Sequence, residues 1–406
     1  MVCFFVWFTL LHCVVSCMAP NARKRIAEVA GLAPVSKSGL ARIVGAVRDD
    51  PPPTSSRFAV KRGIRHDLGV DTPHGCVIQN IELELVSGAT LSWPACHPGA
   101  LLTFLATFSG PFEQCLRDSI ARTPPTPSAP WHIVAYADEA ATGNLIKIDQ
   151  TRKAWQILWS FLELGPEYLA HENNWFLLGT LRVQFSAKVK GNISGVFRTV
   201  FATFFWGDSD VSEVGFLVRT GDGSTIGPIF GIMGFILADE SAFHGIWRSK
   251  GSSGNVNCLC CHNNMRTASG IARPGTGLVD SSEAVFDNFD LASDDSVWAM
   301  IELLRGTTGT AVAPMEVRSG FHRDLHGLLF DVRLRSHVKP ISHTMYDVGH
   351  VLFTNGILHF DMSLFLNASK LKFRDIDQEF QLWSWPKSDC HPPKRLFNVA
   401  HDNHKE

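Results

Sequence analysis

Trp131-His-Ile-Val-Ala-Tyr-Ala-Asp-Glu139 is the stretch on which the fold reading turns. His132 to Ala137 is a short apolar run that ends on Asp138, the pattern of a buried strand with an acid at its tip. Ala154 to Leu164 and Trp175 to Val183 read as two further strands, and Gly191 to Phe205 reads as a helix. A fourth strand follows at Gly215 to Val218, then a Gly221-Asp-Gly223 turn, then an apolar run from Ile229 to Ala238 that ends on Asp239. Glu240 to Trp247 has the pattern of a helix beginning directly after that acid.

Working back from Trp131, Thr123-Pro-Pro-Thr-Pro-Ser-Ala-Pro130 has the composition of an extended linker, and a domain boundary is expected there. Leu101 to Ile120 reads as one helical stretch. From Cys76 to Trp93, Ile81, Leu83 and Leu85 alternate with Glu82 and Glu84, and Ser87-Gly88 supplies the turn of a hairpin. Leu40, Ile43, Val44 and Val47 mark a short amphipathic helix capped by Ser36 or Ser38 and stopped by Pro51-Pro52-Pro53. The expected organisation is an apolar leader (1–18), a helix and hairpin region (19–122), the linker (123–130), the first part of a core (131–255), an inserted Cys/His segment (256–345) and a last region (346–406).

Composition bounds the function classes. The 406 residues are 45% hydrophobic and 19% charged, an ordinary globular balance, with 28 Phe and 11 Trp for the core. Thirty-seven basic against 39 acidic side chains leave a net charge of −2, so nucleic-acid binding has no support from overall charge. It would need local basic surface: Arg23-Lys24-Arg25, Lys188 with Lys190, Arg333 to Lys339, or Lys394-Arg395, each of which is by default solvated surface. The ten cysteines form no regular disulfide framework, which favours a reducing compartment. Against it, residues 1–17 have the length and apolarity of a signal-peptide core without the preceding basic residues, and Met18 offers a second start, so secretion and an overextended gene model both explain the leader. Asn192-Ile-Ser and Asn367-Ala-Ser match the short glycosylation pattern. There is no phosphate-cradling glycine loop and no G-x-S-x-G nucleophile elbow.

The Trp131 to Glu139 string with Gly143-Asn144 resembles a block found in a large family of repetitive, mobile-element-like open reading frames of dinoflagellate genomes. Trp159-Ser-Phe-Leu-Glu163 is a second such block. Leu237-Ala-Asp-Glu-Ser-Ala-Phe-His244, running into Lys250-Gly251 and Cys258, is a third, and Tyr346-Asp-Val-Gly-His350 with Asn355-Gly356 is a fourth. The resemblance covers most of the chain from about Val35 on, and that family is in turn similar, more remotely, to the transposases of CACTA and Plavaka elements.

The resemblance implies an α/β (α+β) fold with a ribonuclease-H-like core, a mixed sheet flanked by helices. It implies DNA strand cleavage and transfer at element ends, a nuclear location, a homo-oligomer when active, and magnesium or manganese as cofactor. Such chemistry needs hard oxygen ligands brought together from distant strand ends. Asp138 and Asp239 match the family's acidic positions, with Glu139 beside the first. Each also has a plain structural reading, as a turn residue or, for Asp239, as the cap of the following helix. Asp347 is the candidate third acid, but Asp347-x-x-His350 also resembles an Asp-x-x-His motif of inserted segments, with the last catalytic acid further downstream; the chain would then be a truncated copy. Cys258-x-x-Cys261 has the spacing of half a zinc site and resembles the Cys-x-x-Cys that follows the second acid in these enzymes, with His262 adjacent and His322 and His326 as candidate partners. Reduced cysteines in a loop are the other reading. Three functions remain: a metal-dependent DNA strand-transfer protein or its inactive remnant, a non-catalytic DNA-binding or structural protein, and a secreted protein.

Overall fold

The computed structural model describes residues 71–141, 153–171, 174–207, 210–265, 277–280, 283, 285–348, 351, 364–365 and 368–369. The expected leader, the helix at 40–47, the terminal basic runs, Gly143-Asn144, His350, Asn355-Gly356 and Asn367 lie outside the described residues. The chain divides into two compact units, one ending at Met345 and one beginning at Tyr346.

The strands are β1 (Asp71–Thr72), β2 (Gly75–Cys76), β3 (Ile78–Glu84), β4 (Thr90–Cys96), β5 (Trp131–Ala141), β6 (Lys153–Phe161), β7 (Phe176–Arg182), β8 (Phe216–Arg219), β9 (Thr225–Ile229), β10 (Gly231–Ala238) and β11 (Thr344–Tyr346). The helices are α1 (Pro98–Phe108), α2 (Gly110–Arg122), α3 (Pro166–Leu169), α4 (Val183–Ser186), α5 (Asn192–Phe205), α6 (Glu240–Trp247), α7 (Asp294–Gly306) and α8 (Val312–Ser319). One mixed sheet of five strands, in the order β11-β10-β5-β6-β7, forms the centre, and three antiparallel ribbons, β1/β2, β3/β4 and β8/β9, lie outside it. β5 runs antiparallel to β6, β6 antiparallel to β7, and β10 parallel to β5.

β6 lacks alternation because both of its faces are covered. From Ala154 to Phe161 every residue of β6 is buried, as are Ile133, Val134, Ala135 and Ala137 of β5. α5 buries Ile193, Val196, Phe197, Val200, Phe201 and Phe204, the i, i+3, i+4, i+7 stripe of an amphipathic helix. Its Phe204 ring meets Trp159 of β6 edge-on at 5.1 Å, and Trp159 also packs on Phe161 and Phe176. The β3/β4 ribbon holds to β7 through Trp93, whose Nε1–H donates to Thr180 O at 3.0 Å over the bare Cα of Gly179.

Three elements differ from the expected boundaries for local reasons. The single helix expected at 101–120 is two, because Ser109 both ends α1 and caps α2, accepting from the Phe112 N–H, and Pro111 has no N–H with which to continue the first helix. The strand expected to reach Leu164 stops at Phe161, followed by a 3-10 turn and Gly165 at φ 97°. The apolar run from Ile229 to Ala238 is shared between two sheets: β9 pairs back on β8, and the chain enters the main sheet as β10 only from Gly231.

The proline-rich stretch 123–130 lies inside the first unit. Trp131 Nε1 donates to Thr123 O at 2.8 Å, and Phe112 of α2 packs edge-on against Phe176 of β7. At the Asn192 sequon, Asn192 stands at φ 54° in the first turn of α5, and the Ser194 hydroxyl is buried, accepting the Leu328 N–H at 2.8 Å. The Arg333 to Lys339 run is largely neutralised: Arg333 pairs with Asp331 and lies over the Trp206 ring, Arg335 pairs with Glu302 and lies over Trp298, and His337 stacks on Phe205. Among the described residues no helix is long and apolar enough to cross a membrane.

Candidate functional site at the carboxyl edge of the central strands

In the parallel register of β10 on β5, Ala238 lies opposite Ala137. The next residues along the chain are Asp138, still inside β5, and Asp239, just past the end of β10, so the two acids, a hundred residues apart in sequence, each follow one of two facing alanines on neighbouring strands. On the other side of β5, Asp138 faces Gln156, which is buried. Asp138 is half-buried and within 3.5 Å of the Tyr136 hydroxyl. Glu139, one residue on, pairs with Lys153 across β6 at 3.4 Å.

Asp239 is also the N-cap of α6. Its backbone is extended, at φ −76° and ψ 171°, and its Oδ1 accepts the Ala242 N–H at 2.6 Å. The Ser241 hydroxyl donates to the same carboxylate at 3.1 Å. The structural role weighed for this residue is therefore present in the geometry, together with its place beside Asp138. A carboxylate oxygen has lone pairs to spare after one such bond, so capping and cation binding are compatible in donor count.

Asp347 belongs to the second unit, where its carbonyl accepts the Val351 N–H at 2.9 Å. The cysteines sit on a tight loop closed by the Val256 to Met265 bridge and by Asn257 N–H donating to Asn264 O. Within it, Cys258 Sγ accepts the Cys260 N–H at 3.3 Å. Hydrogen bonds, first from the Cys260 thiol and then from the loop's backbone N–H groups, pull the Cys258 thiol down to about 6 against the opposing effect of burial. Burial and the neighbouring Cys258 push Cys261 up to about 12, and the hydrogen bond to Cys258 raises Cys260. His262 turns away to Ser296 Oγ at 2.7 Å, and His322 stands 3.6 Å from Glu316. Among the described residues no three His, Cys, Asp or Glu side chains are gathered to hold one ion.

Cys260, grouped with Cys258 and Cys261 in the sequence, interacts with both in the loop. One feature went unnoticed in sequence. His244 and Ser249, at the end of α6, form a 2.6 Å hydrogen bond between imidazole Nδ1 and hydroxyl; the i, i+4 spacing of Glu240 and His244 was the only sequence signal near it. Outside the acid site, two blocks of the resemblance meet: Glu163 accepts from the His132 N–H at 2.9 Å and lies 2.7 Å from His132 Nδ1, pinning the start of β5.

Comparison with models of known families and with curated proteins found no match.

Proposed function

We propose that this chain is a transposase-type protein that cleaves and joins DNA with divalent metal, or descends from one, on a ribonuclease-H-like core. The observation that carries the reading is that Asp138 and Asp239 each follow one of two facing alanines on neighbouring parallel strands. The sheet supports it: three consecutive antiparallel strands, then β10 added beside the first and parallel to it, with β11 at the border, give the spatial order third, second, first, fourth, fifth. Two carboxylates suit magnesium or manganese in donor type; in number they leave the site short of a third protein ligand, for which Asp347 is the candidate. Bound metal would activate the attacking oxygen and stabilise the leaving one. The chain's own part is to hold Asp138 on a strand buried on both faces, and to fix Asp239 through the cap of α6. In the cysteine loop, Cys258 and Cys261 are proposed as a partial zinc site, for which a thiolate held at neutral pH is the required donor.

The capping role of Asp239 favours a second reading, a DNA-binding or structural protein that keeps the fold without the chemistry. DNA carrying the repeats that flank the gene, incubated with purified protein and magnesium or manganese, separates the two. Metal-dependent nicking or joining that is lost in Asp138→Asn supports the enzyme. Equal activity in parent and variant overturns the role of Asp138. Salt-sensitive binding without any cleavage supports the second reading, and no DNA binding removes both.

A further inference from the structure

At the far end of α6 from Asp239 the helix stops on Arg248 in the left-handed conformation, at φ 57°. That residue turns the chain back, so Ser249 lies over the last turn with its hydroxyl 2.6 Å from His244 Nδ1. The other imidazole nitrogen, Nε2, lies 3.5 Å from Glu240 Oε1, one helical turn earlier. Gly251, at φ 48°, packs against the same ring: a Cβ there would stand 2.6 Å from Nε2, so the ring is held from a third side.

A carboxylate only accepts, so the tautomer that suits these partners carries the proton on Nε2, toward Glu240, and leaves the Nδ1 lone pair for the Ser249 O–H. Hydroxyl, base and carboxylate in series are the arrangement that raises the nucleophilicity of a serine, here with a short hydroxyl–imidazole bond of 2.6 Å and a looser imidazole–carboxylate contact of 3.5 Å. His244 and Ser249 are half-buried, within reach of a small reagent.

We propose that Ser249, His244 and Glu240 form a nucleophilic acyl-transfer site that takes activated carboxylic esters. The Ser249 proton passes to His244 Nδ1 as Oγ bonds to the ester carbonyl carbon. The carbon to leaving-oxygen bond then breaks, and the imidazolium returns that proton to the leaving alkoxide or phenoxide. Water attacks the acyl-serine by the same path in reverse, releasing the acid and restoring the hydroxyl. Glu240 is a positioning residue throughout. The proposal is independent of the metal reading, because no step uses Asp138, Asp239 or a cation.

Full-length protein in a chelator, so that divalent-metal chemistry is silent, is treated with a fluorophosphonate and, separately, with p-nitrophenyl acetate, and adducts are located by peptide mass. A single adduct at Ser249 is expected, absent from Ser249→Ala and formed about 10²-fold more slowly in His244→Gln. Glu240→Gln, at a side chain 74% exposed and so without consequence for packing, is expected to fall between parent and His244→Gln. No adduct at Ser249, an adduct formed as fast in heat-unfolded protein, or equal rates in parent and Glu240→Gln overturns the proposal.

Discussion

Replacing Asp239 separates two roles that one carboxylate holds. In Asp239→Ala the 2.6 Å bond from the Ala242 N–H and the bond from the Ser241 hydroxyl are both lost. Loss of an N-cap side chain costs about 1 kcal/mol, within a range of about 0.5–2. Here the released N–H belongs to Ala242, which is only 2% exposed, so water replaces the lost partner poorly and the cost sits near the upper end, about 2 kcal/mol. The helix has no reserve to absorb it. α6 is eight residues long and is held by Ala242, Phe243, Ile246 and Trp247, which its first turn must orient. Asp239→Asn keeps an acceptor of the same shape and loses only the favourable charge at the helix start, about 0.3–1 kcal/mol. Urea unfolding followed by tryptophan fluorescence should therefore rank parent above Asn above Ala. In the DNA assay both variants should be equally inactive, since each removes a charged metal ligand. A stability loss in Asn equal to that in Ala would refute the capping argument. Parent-like nicking by Asp239→Asn would refute the metal role and leave the cap intact.

Three further outcomes are expected. Gly179→Ala places a Cβ 2.4 Å from the Trp93 ring, which cannot retreat without losing its bond to Thr180 O; thermal or urea unfolding should show a loss of about 1–3 kcal/mol, and an unchanged midpoint would mean that the ribbon is not seated on β7. For Glu316, burial would raise the carboxyl, but the Arg323 N–H and Lys250 outweigh it and hold it below the ordinary value of 4.5. A depressed carboxyl contributes stability that is present above its unfolded value and lost as pH falls through its folded one, so acid unfolding should gain a component below pH 4.5 that Glu316→Gln lacks. In metal-free, reduced protein, iodoacetamide should modify Cys258 first, with a rate midpoint near pH 6, while Cys261 reacts only in strongly alkaline solution; simultaneous modification of both would contradict the loop geometry.

Much of the core was legible before its coordinates. Apolar runs in β5, β6, β7 and β10 marked strands, most fully in β6, which is buried from Ala154 to Phe161, and the Phe spacing in α5 marked a helix because one face is buried. Asp239, directly after β10, was legible as a strand-end residue and as a cap, whereas β5 runs on past Asp138 to Ala141, so that acid sits inside its strand and not at the end. Where local reading failed, a single residue or a nonlocal partner decided the matter. Ser109 and Pro111 split one helical stretch into two, and the pairing of β9 with β8 took Ile229, the first residue of an apolar run, out of the main sheet.

The sequence by itself marked the central strands β5, β6, β7 and β10 and the helices α5 and α6, because burial imprints a pattern on the side chains. Only the tertiary structure decided that β10 lies beside β5 in parallel, with Ala238 opposite Ala137, since pairing between strands a hundred residues apart leaves no local pattern. That register sets Asp138 and Asp239 each one residue beyond a facing pair of alanines. For the same reason the chain reversal at Arg248, which sets Ser249 on His244, was invisible in the residues that make it.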